Sequence, residues 1–310
     1  MEIFDRNSYI NTVNKKTVLA LGNFDGVHNG HIHILRKAKE FAEHNGFSFG
    51  IYTFADSPKF RNPSHSLLTD IQVRLSFLQY KAQPDFVYLE KFDDVKGMEP
   101  DAFVEYIISK FNVCACFCGE NFSFGKNASG KSSDLVILME NRGFDAFVVP
   151  LLMNDGVPIS STRIRMLLEE GNVEKAHELL GEPYGFVSKV IHGAHLGHTL
   201  GFPTVNQVIP KSLVVPKYGV YSTIVIVDGK EYMGVTNFGV KPTVTSDNTP
   251  VAETYIIDFD GDVYGKYVCV CFCKMLREEK KFSTLDELIE NIKINVEQTK
   301  TFFKEKYENK

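Results

Sequence analysis

The chain has no apolar run approaching the roughly 18 to 20 residues that span a bilayer, so no membrane-spanning helix is expected. It opens on Met1-Glu2-Ile3-Phe4-Asp5-Arg6, without a basic stretch leading into an apolar one, so no secretory leader is expected either. Neither sign of charge dominates. Lys and Arg number 34 against 39 Asp and Glu, and the formal charge of −5 gives no general attraction to nucleic acid or to a membrane surface. Any phosphate site must therefore be local. Internal repeats and low-complexity segments are absent. The cysteine spacing of a zinc site or a disulfide framework is also missing. The six cysteines fall as Cys114, Cys116, Cys118 and Cys269, Cys271, Cys273. A spacing of two puts each triplet on one face of a strand. They are expected to be reduced, buried packing residues of a cytoplasmic protein.

What is present divides in two. At 310 residues, 44% of them hydrophobic, the chain is long for one core and comfortable for two domains. From Thr17 to about Leu180, apolar strands alternate with helical patterns. Thr17 to Leu21 is a continuous apolar run, as a strand buried on both faces requires. Ile34, Leu35, Ala38, Phe41 and Ala42 then recur at helical spacing. Strand candidates follow at Phe47 to Phe54, Asp85 to Leu89, Val113 to Cys118 and Phe144 to Pro150, with a helix face at Ala102, Phe103, Tyr106 and Ile107. That alternation predicts a doubly wound, Rossmann-like α/β domain. Short helices are expected at Ser161 to Glu169 and Val173 to Leu180.

The texture changes at Gly181-Glu182-Pro183-Tyr184. Short β runs follow, with hairpins expected across Asp228-Gly229-Lys230 and across Asp260-Gly261-Asp262. Closely spaced strands predict a small β-barrel. A terminal helix runs from Ser283, expected as its cap, to Lys304. The fold class is therefore α/β plus β, with domains at 1–182 and 183–310.

The chemistry starts at Gly22-Asn23-Phe24-Asp25-Gly26-Val27-His28-Asn29-Gly30-His31, directly after the first strand. A glycine-rich turn there lets a phosphate chain approach the backbone, and the helix start supplies unpaired N–H groups and a positive dipole. His28 and His31 can both face that anion and donate hydrogen bonds as charge builds in a transition state. This HxGH arrangement resembles the nucleotidyltransferase superfamily, which activates ATP for attack at its α-phosphate. Ile159-Ser160-Ser161-Thr162-Arg163-Ile164-Arg165 resembles that superfamily's ISSTxIR motif, in which hydroxyls and an arginine grip the outer phosphates.

Longer matches narrow the resemblance to the prokaryotic bifunctional riboflavin kinase/FAD synthetases. Gly22 through His31 is similar to their GNFDGVHxGH form, and Gly119-Glu120-Asn121-Phe122-Ser123-Phe124-Gly125 to their G-x-[DN]-F-x-FG loop. The resemblance implies ATP-dependent phosphorylation of riboflavin to FMN, then adenylylation of FMN to FAD with release of pyrophosphate. For adenylylation it implies His28 and His31 as catalytic residues, with Gly22, Phe24, Asp25, Asn121, Ser161, Thr162 and Arg163 binding ATP. One departure sits in this half: the family's TFDPHP is here Thr53-Phe54-Ala55-Asp56-Ser57-Pro58, which leaves the flavin contacts of that loop open.

In the other half, Leu200-Gly201-Phe202-Pro203-Thr204-Val205-Asn206 resembles the LGFPTAN motif of riboflavin kinases. The resemblance implies Thr204 and Asn206 as ligands of Mg2+ and nucleotide phosphate, oxygen donors that suit a hard cation keeping several waters. It implies Glu253 as the base for the ribityl 5′-hydroxyl, and adds Gly193 and Arg277 to the nucleotide- and flavin-binding set. Pro216, Gly219-Val220-Tyr221, Gly234 to Gly239, Pro242-Thr243 and Tyr264-Gly265 follow the family order. Two positions depart: Gly197-His198 replaces the family's Gly-Arg, and Tyr255 stands where a histidine is usual. These two motivate an alternative, an FAD synthetase whose C-terminal half survives as a flavin-binding or regulatory module.

Two further patterns are set aside on context. Gly125 to Ser132 satisfies G-x-x-x-x-G-K-S, the basis of a third reading as a P-loop NTPase, but Gly119 to Phe124 separate it from the preceding strand. Asp258-Phe259-Asp260-Gly261-Asp262 starts like a calcium loop, yet its sixth position is Val263 and its twelfth Cys269. The implied partners are small molecules, namely ATP, riboflavin and FMN, with no nucleic acid and no membrane.

Overall fold

Continuous apolar runs become strands of a parallel sheet, and the helical repeats between them cover both its faces. The computed structural model describes residues 1–6, 15–56, 66–193, 201–240 and 249–308. Ser57 and Pro58, Gly197, His198 and Leu200, and Pro242-Thr243 lie outside the described residues. The chain divides into two compact units, 1–161 and 162–310.

In chain order the first unit contains β1 (Glu2–Phe4), β2 (Thr17–Leu21), α1 (Asn29–Asn45), β3 (Ser48–Phe54), α2 (Ile71–Phe77), β4 (Phe86–Glu90), α3 (Phe92–Val95) and α4 (Pro100–Phe111). It continues with β5 (Val113–Gly119), β6 (Ser123–Phe124), β7 (Gly130–Lys131), α5 (Ser132–Glu140), β8 (Asp145–Val149), β9 (Met153–Asn154) and β10 (Val157–Pro158). The main sheet has the order β1-β4-β3-β2-β5-β8, with every neighbour parallel. β2 is buried at all five positions, as a central parallel strand must be. Its alternate residues feed two cores. Val18 and Ala20 pack with Leu35 and Ala38 of α1, while Leu19 and Leu21 pack with Phe103 and Ile107 of α4. β1 was not expected. Three residues at a sheet edge are too few to show a period.

The first cysteine triplet does not share one face. Thr17 pairs with Val113 and Val18 with Ala115, so Cys114 is the extra residue of a β-bulge. It packs with the α1-side core, whereas Cys116 and Cys118 lie in the α4-side core. All six thiols are free. Burial pushes the Cys118 thiol up to about 12 and the Cys273 thiol up to about 11, which keeps both protonated.

α6 (Ser161–Glu169) opens where the two units divide, and α7 (Val173–Leu180) follows. The second unit then holds β11 (Tyr184–Ile191), β12 (Thr204–Val208), β13 (Gly219–Val227), β14 (Lys230–Val240), β15 (Pro250–Ile256), β16 (Tyr267–Arg277) and α8 (Leu285–Glu308). The strands close a six-stranded antiparallel barrel in the order β11-β12-β15-β14-β13-β16. Along β16 the buried Val268, Val270 and Phe272 alternate with the half-buried Cys269 and Cys271. The hairpin across Asp228-Gly229 forms as expected: Val227 pairs with Lys230, and φ values of 49° and 79° at the two turn residues match the twist of the strands.

Two expectations are corrected. Asp260-Gly261-Asp262 does not close a hairpin, because β15 pairs with β12 and β14 while β16 pairs with β11 and β13. Closure uses both edges of each strand, so the segment crosses between non-neighbours. The terminal helix starts later than Ser283: Thr284 caps it by accepting from Glu287 N at 3.1 Å, and Glu287 reaches back to Ser283 N at 3.0 Å.

A ladder of hydroxyls crosses the buried side of three adjacent barrel strands. Thr236 Oγ1 lies 2.9 Å from both Thr223 Oγ1 and Thr254 Oγ1, and none of the three residues is exposed. Thr236→Val keeps the shape and strands two buried hydroxyls. It is expected to destabilise the barrel by about 1–3 kcal/mol, read as a lowered denaturant midpoint with unchanged slope.

Candidate active sites

In a doubly wound sheet, ligands gather at the carboxyl ends of the strands where the winding direction reverses. Here β2, β3 and β4 follow one another outward toward the edge held by β1, and the chain then returns to place β5 and β8 on the other side of β2, so the reversal lies between β2 and β5. The glycine-rich turn leaves the end of β2, and the turn carrying Asn121 leaves the end of β5.

That first turn is strained. Phe24 at φ 50° and Val27 at φ 41° both occupy the left-handed region, next to Gly26 at 82°. A β-branched residue there is an outlier that surrounding contacts must hold. Asp25, 2% exposed, provides one hold: its carboxylate accepts from Leu68 N at 3.1 Å and from Thr69 N at 3.3 Å. Gly26 N donates in turn to Thr69 Oγ1 at 3.2 Å. Arg74, also 2% exposed, provides the other, donating to Asn23 O at 3.0 Å and to Phe54 O at 2.6 Å. Burial lowers the Arg74 pKa, while Asp25 and Asp70 oppose that shift. Arg74 was missed in the sequence. The signal was a charged residue on the apolar face of a helix, between Ile71 and Leu75.

Beyond the turn, His28 caps α1, its Nδ1 accepting from His31 N at 3.2 Å. The two imidazoles stack with centroids 3.5 Å apart and planes 16° from parallel, and Phe24 meets His31 edge-on at 5.3 Å. Gly30 makes this possible. A Cβ there would lie 3.2 Å from the His28 ring and 3.3 Å from Ile159 O. A Cβ on Gly22 would meet the Phe24 ring at 2.8 Å. No acidic residue occupies the first turn of α1, so the helix end stays attractive to an anion. Ser161 joins the turn by donating to Asp25 O at 3.0 Å, and Thr162 and Arg163 follow it in the first turn of α6. Asn121 is exposed, and a Cβ on Gly119 would lie 3.2 Å from its amide oxygen.

Beside this turn lies a cavity of ≈ 680 Å³, lined by Gly22, Tyr52, Phe54, Phe92, Phe122 and Phe124 among others. Aromatic walls of this kind suit a flat, fused ring system. The glycines and lysine of the G-x-x-x-x-G-K-S pattern form no phosphate loop. Gly130 and Lys131 are a strand paired with Ser123 and Phe124, and Lys131 Nζ donates to Ala128 O at 2.9 Å. The hairpin instead contributes Lys126, Asn127 and Ala128 to the cavity wall.

The second unit has its own constellation. Register sets Glu253 on β15 opposite Asn206 on β12 and opposite Asn237 on β14. Thr204 Oγ1 donates to Glu253 Oε1 at 3.1 Å. Gly193 lies against the Asn206 amide, which a Cβ would meet at 2.2 Å, so any side chain there would have to displace that amide. Thr204, Glu253, Asn237, Tyr255 and Arg277 all line a cavity of ≈ 330 Å³. Asn295 of α8, 3% exposed, accepts from Arg277 Nε at 3.2 Å. Burial lowers the Arg277 pKa, opposed by Glu279. Tyr255 packs against Phe202, with centroids 5.3 Å apart. Asn237 and Asn295 are additions to the residues expected. Strand register and helix docking bring them in, and neither can be read along one segment.

Comparison with known proteins assigns a family to each half. A family model for FAD synthetase matches residues 10–163, and one for riboflavin kinase matches residues 180–303. The bifunctional riboflavin kinase/FMN adenylyltransferase of Bacillus subtilis is 33% identical over 296 residues, covering 93% of each chain. The protein of the same description from Haemophilus influenzae is 33% identical over 299 residues, covering 94% of this chain and 96% of its own. A solved structure from Streptococcus pneumoniae, described as a macrolide-efflux protein, has a TM-score of 0.87 and 28% identity, covering 97% of this chain and 99% of its own. Among the described residues of the present chain, no helix is long and apolar enough to cross a membrane.

The buried staple of the first unit is open to direct test. Arg74→Met removes the donor to Asn23 and Phe54 and the buried positive charge that Asp25 and Asp70 favour. It is expected to destabilise the first unit by about 3–5 kcal/mol, measured by thermal or denaturant unfolding.

Proposed function

The chain belongs to the bifunctional riboflavin kinase/FMN adenylyltransferase family, phosphorylating riboflavin to FMN and adenylylating FMN to FAD, and we propose how its residues divide that work. Two arrangements support the division, one in each unit. These are the stacked His28 and His31 at the start of α1, and the bonded pair of Thr204 and Glu253 on neighbouring barrel strands. The functional boundary is assigned to 182/183, where the texture of the sequence changes, two residues past the start of the span matched by the riboflavin kinase model at 180.

In the first unit, ATP lays its phosphates against the open end of α1, where Gly22, Phe24 and Asp25 shape the turn. Because His28 Nδ1 accepts from His31 N, the neutral ring carries its proton on Nε2 and can donate to a phosphate oxygen. His28 and His31 stabilise the charge that builds as an FMN phosphate oxygen attacks the α-phosphorus and pyrophosphate leaves. Ser161, which donates to Asp25 O, is the residue of the ISSTxIR segment assigned here to the departing phosphates. Asn121 contacts the nucleotide, and the aromatic cavity takes the isoalloxazine ring.

In the second unit, Glu253 accepts the proton of the ribityl 5′-hydroxyl as its oxygen attacks the γ-phosphorus of ATP. Thr204 orients that carboxylate, and Arg277, steadied by Asn295, borders the flavin. A hydroxyl and an amide oxygen are hard donors of the kind Mg2+ takes, and Thr204 and Asn206 are the residues that would hold it. The ion's contribution is neutralisation of phosphate charge during transfer. The assembled Thr204, Asn206 and Glu253 support a working kinase over a degenerate module. Six free thiols favour a reducing, cytoplasmic setting.

Purified protein with ATP, Mg2+ and either riboflavin or FMN, with products separated by chromatography, tests the assignment. Glu253→Gln is expected to cut FMN formation by about 10²–10⁴-fold and leave FMN-to-FAD conversion in place. His31→Ala is expected to do the reverse. Loss of both reactions in either variant would sink the two-site assignment. Lys131→Ala is expected to leave both turnovers within a few-fold. Chelation of Mg2+ is expected to stop riboflavin phosphorylation, with recovery when Mg2+ is restored.

A further inference from the structure

Behind the aromatic cavity of the first unit lies a buried carboxylate that the reaction does not use. Glu90 ends β4 with no exposed surface. Its Oε2 accepts from Tyr106 OH at 2.7 Å and from Tyr52 OH at 3.1 Å, and its Oε1 from Lys91 N at 3.1 Å. Tyr88 OH accepts from Lys110 Nζ at 2.6 Å and lies 3.3 Å from Tyr106 OH. Since Tyr106 spends its proton on Glu90, the Tyr88 hydroxyl is the donor in that last contact. Every hydroxyl in the chain is thereby fixed in direction, from the Lys110 ammonium to Glu90. A buried, fully engaged network of this kind holds its members rigidly.

One member faces the cavity. Tyr52 is 2% exposed and is the single tyrosine lining that space among the described residues, and the chain contains no tryptophan. Its ring is held on several sides. Phe54 and Phe103 meet it edge-on at 6.0 and 5.7 Å, and Tyr88 stacks on it at 5.8 Å. The hydroxyl is committed to Glu90, so the ring offers the cavity an aromatic wall and no free polar group.

We propose that Tyr52 is a flavin-contacting residue of the adenylylation site and that Glu90 is its positioning residue, fixing the ring as a wall for the isoalloxazine of FMN. The inference rests on the reading that this cavity takes FMN. Phe122 lines the same cavity and bonds to no part of the network, so it separates the two ideas.

The absence of tryptophan supplies a direct readout. An excited flavin takes an electron from a stacked phenol while a nearby base accepts the phenolic proton. Return of both restores the ground state and quenches emission. Tyr52 with Glu90 is such a pair. In the full-length protein, Tyr52→Phe is expected to brighten bound FMN at saturating concentration, with any contribution from the kinase unit common to both proteins. The KM for FMN in FAD formation is expected to rise roughly five- to tenfold, the loss of about one hydrogen bond, with kcat and the KM for ATP within about twofold. Glu90→Gln, of equal size, is expected to raise the same KM. Riboflavin phosphorylation is expected to stay unchanged in both, and a thermal unfolding midpoint for the first unit close to that of the unaltered protein reports on its folding. Unchanged emission and unchanged KM in the two variants, with Phe122→Ala raising the KM, would overturn the role of Tyr52 and Glu90. An unchanged KM in Phe122→Ala as well would overturn the assignment of the cavity itself.

Discussion

The first unit depends on keeping one short turn in a conformation its residues resist. Phe24 and Val27 sit at positive φ, where each non-glycine residue costs of order 1–3 kcal/mol. Two buried charges hold them there. Asp25 ties the turn to the backbone of Leu68 and Thr69, and Arg74 ties it to the end of β3 through Phe54. Once the turn is fixed, the start of α1 is fixed. His28 can then cap the helix and stack on His31 at the same time. The geometry assigned here to phosphate binding is thus maintained by two buried charges, Asp25 and Arg74.

The second unit reaches comparable order by register instead of strain. Asn206, Glu253 and Asn237 are far apart in the chain, yet they form one row across β12, β15 and β14. Side chains alternate faces along a strand, so a slip of one residue would turn Glu253 away from Thr204 and put Thr254 in its place. The hydroxyl ladder of Thr223, Thr236 and Thr254 resists that slip, because it pairs buried groups in one alignment only. Gly193 adds a steric lock, since any side chain there would displace Asn206.

What could be read from sequence was whatever is local. The buried strand Thr17 to Leu21, the glycine-rich turn after it and the Asp228-Gly229 hairpin each carry their signal within about ten residues. The failures are non-local. Asp260-Gly261 has the chemistry of a hairpin turn, and barrel closure overrides it by giving β15 and β16 other partners. The bulge at Cys114 depends on the register of β2 against β5. Arg74, Asn237 and Tyr52 acquire their places through tertiary contacts, so no spacing rule marks them. The G-x-x-x-x-G-K-S stretch shows the opposite error: a full pattern match that folds as a hairpin lining the aromatic cavity.

Barrel closure also bears on the order in which the chain is made. β11 and β16 are neighbours in the barrel, though 267 is reached only some eighty residues after 184. During synthesis, β11 therefore emerges with an open edge that nothing before β16 can cover, whereas the parallel sheet ending at β8 already has all its strands. The adenylylating half can take its shape while the kinase half is still being translated. The later half is the one left waiting, with an unpaired edge exposed to the crowded surroundings of the ribosome.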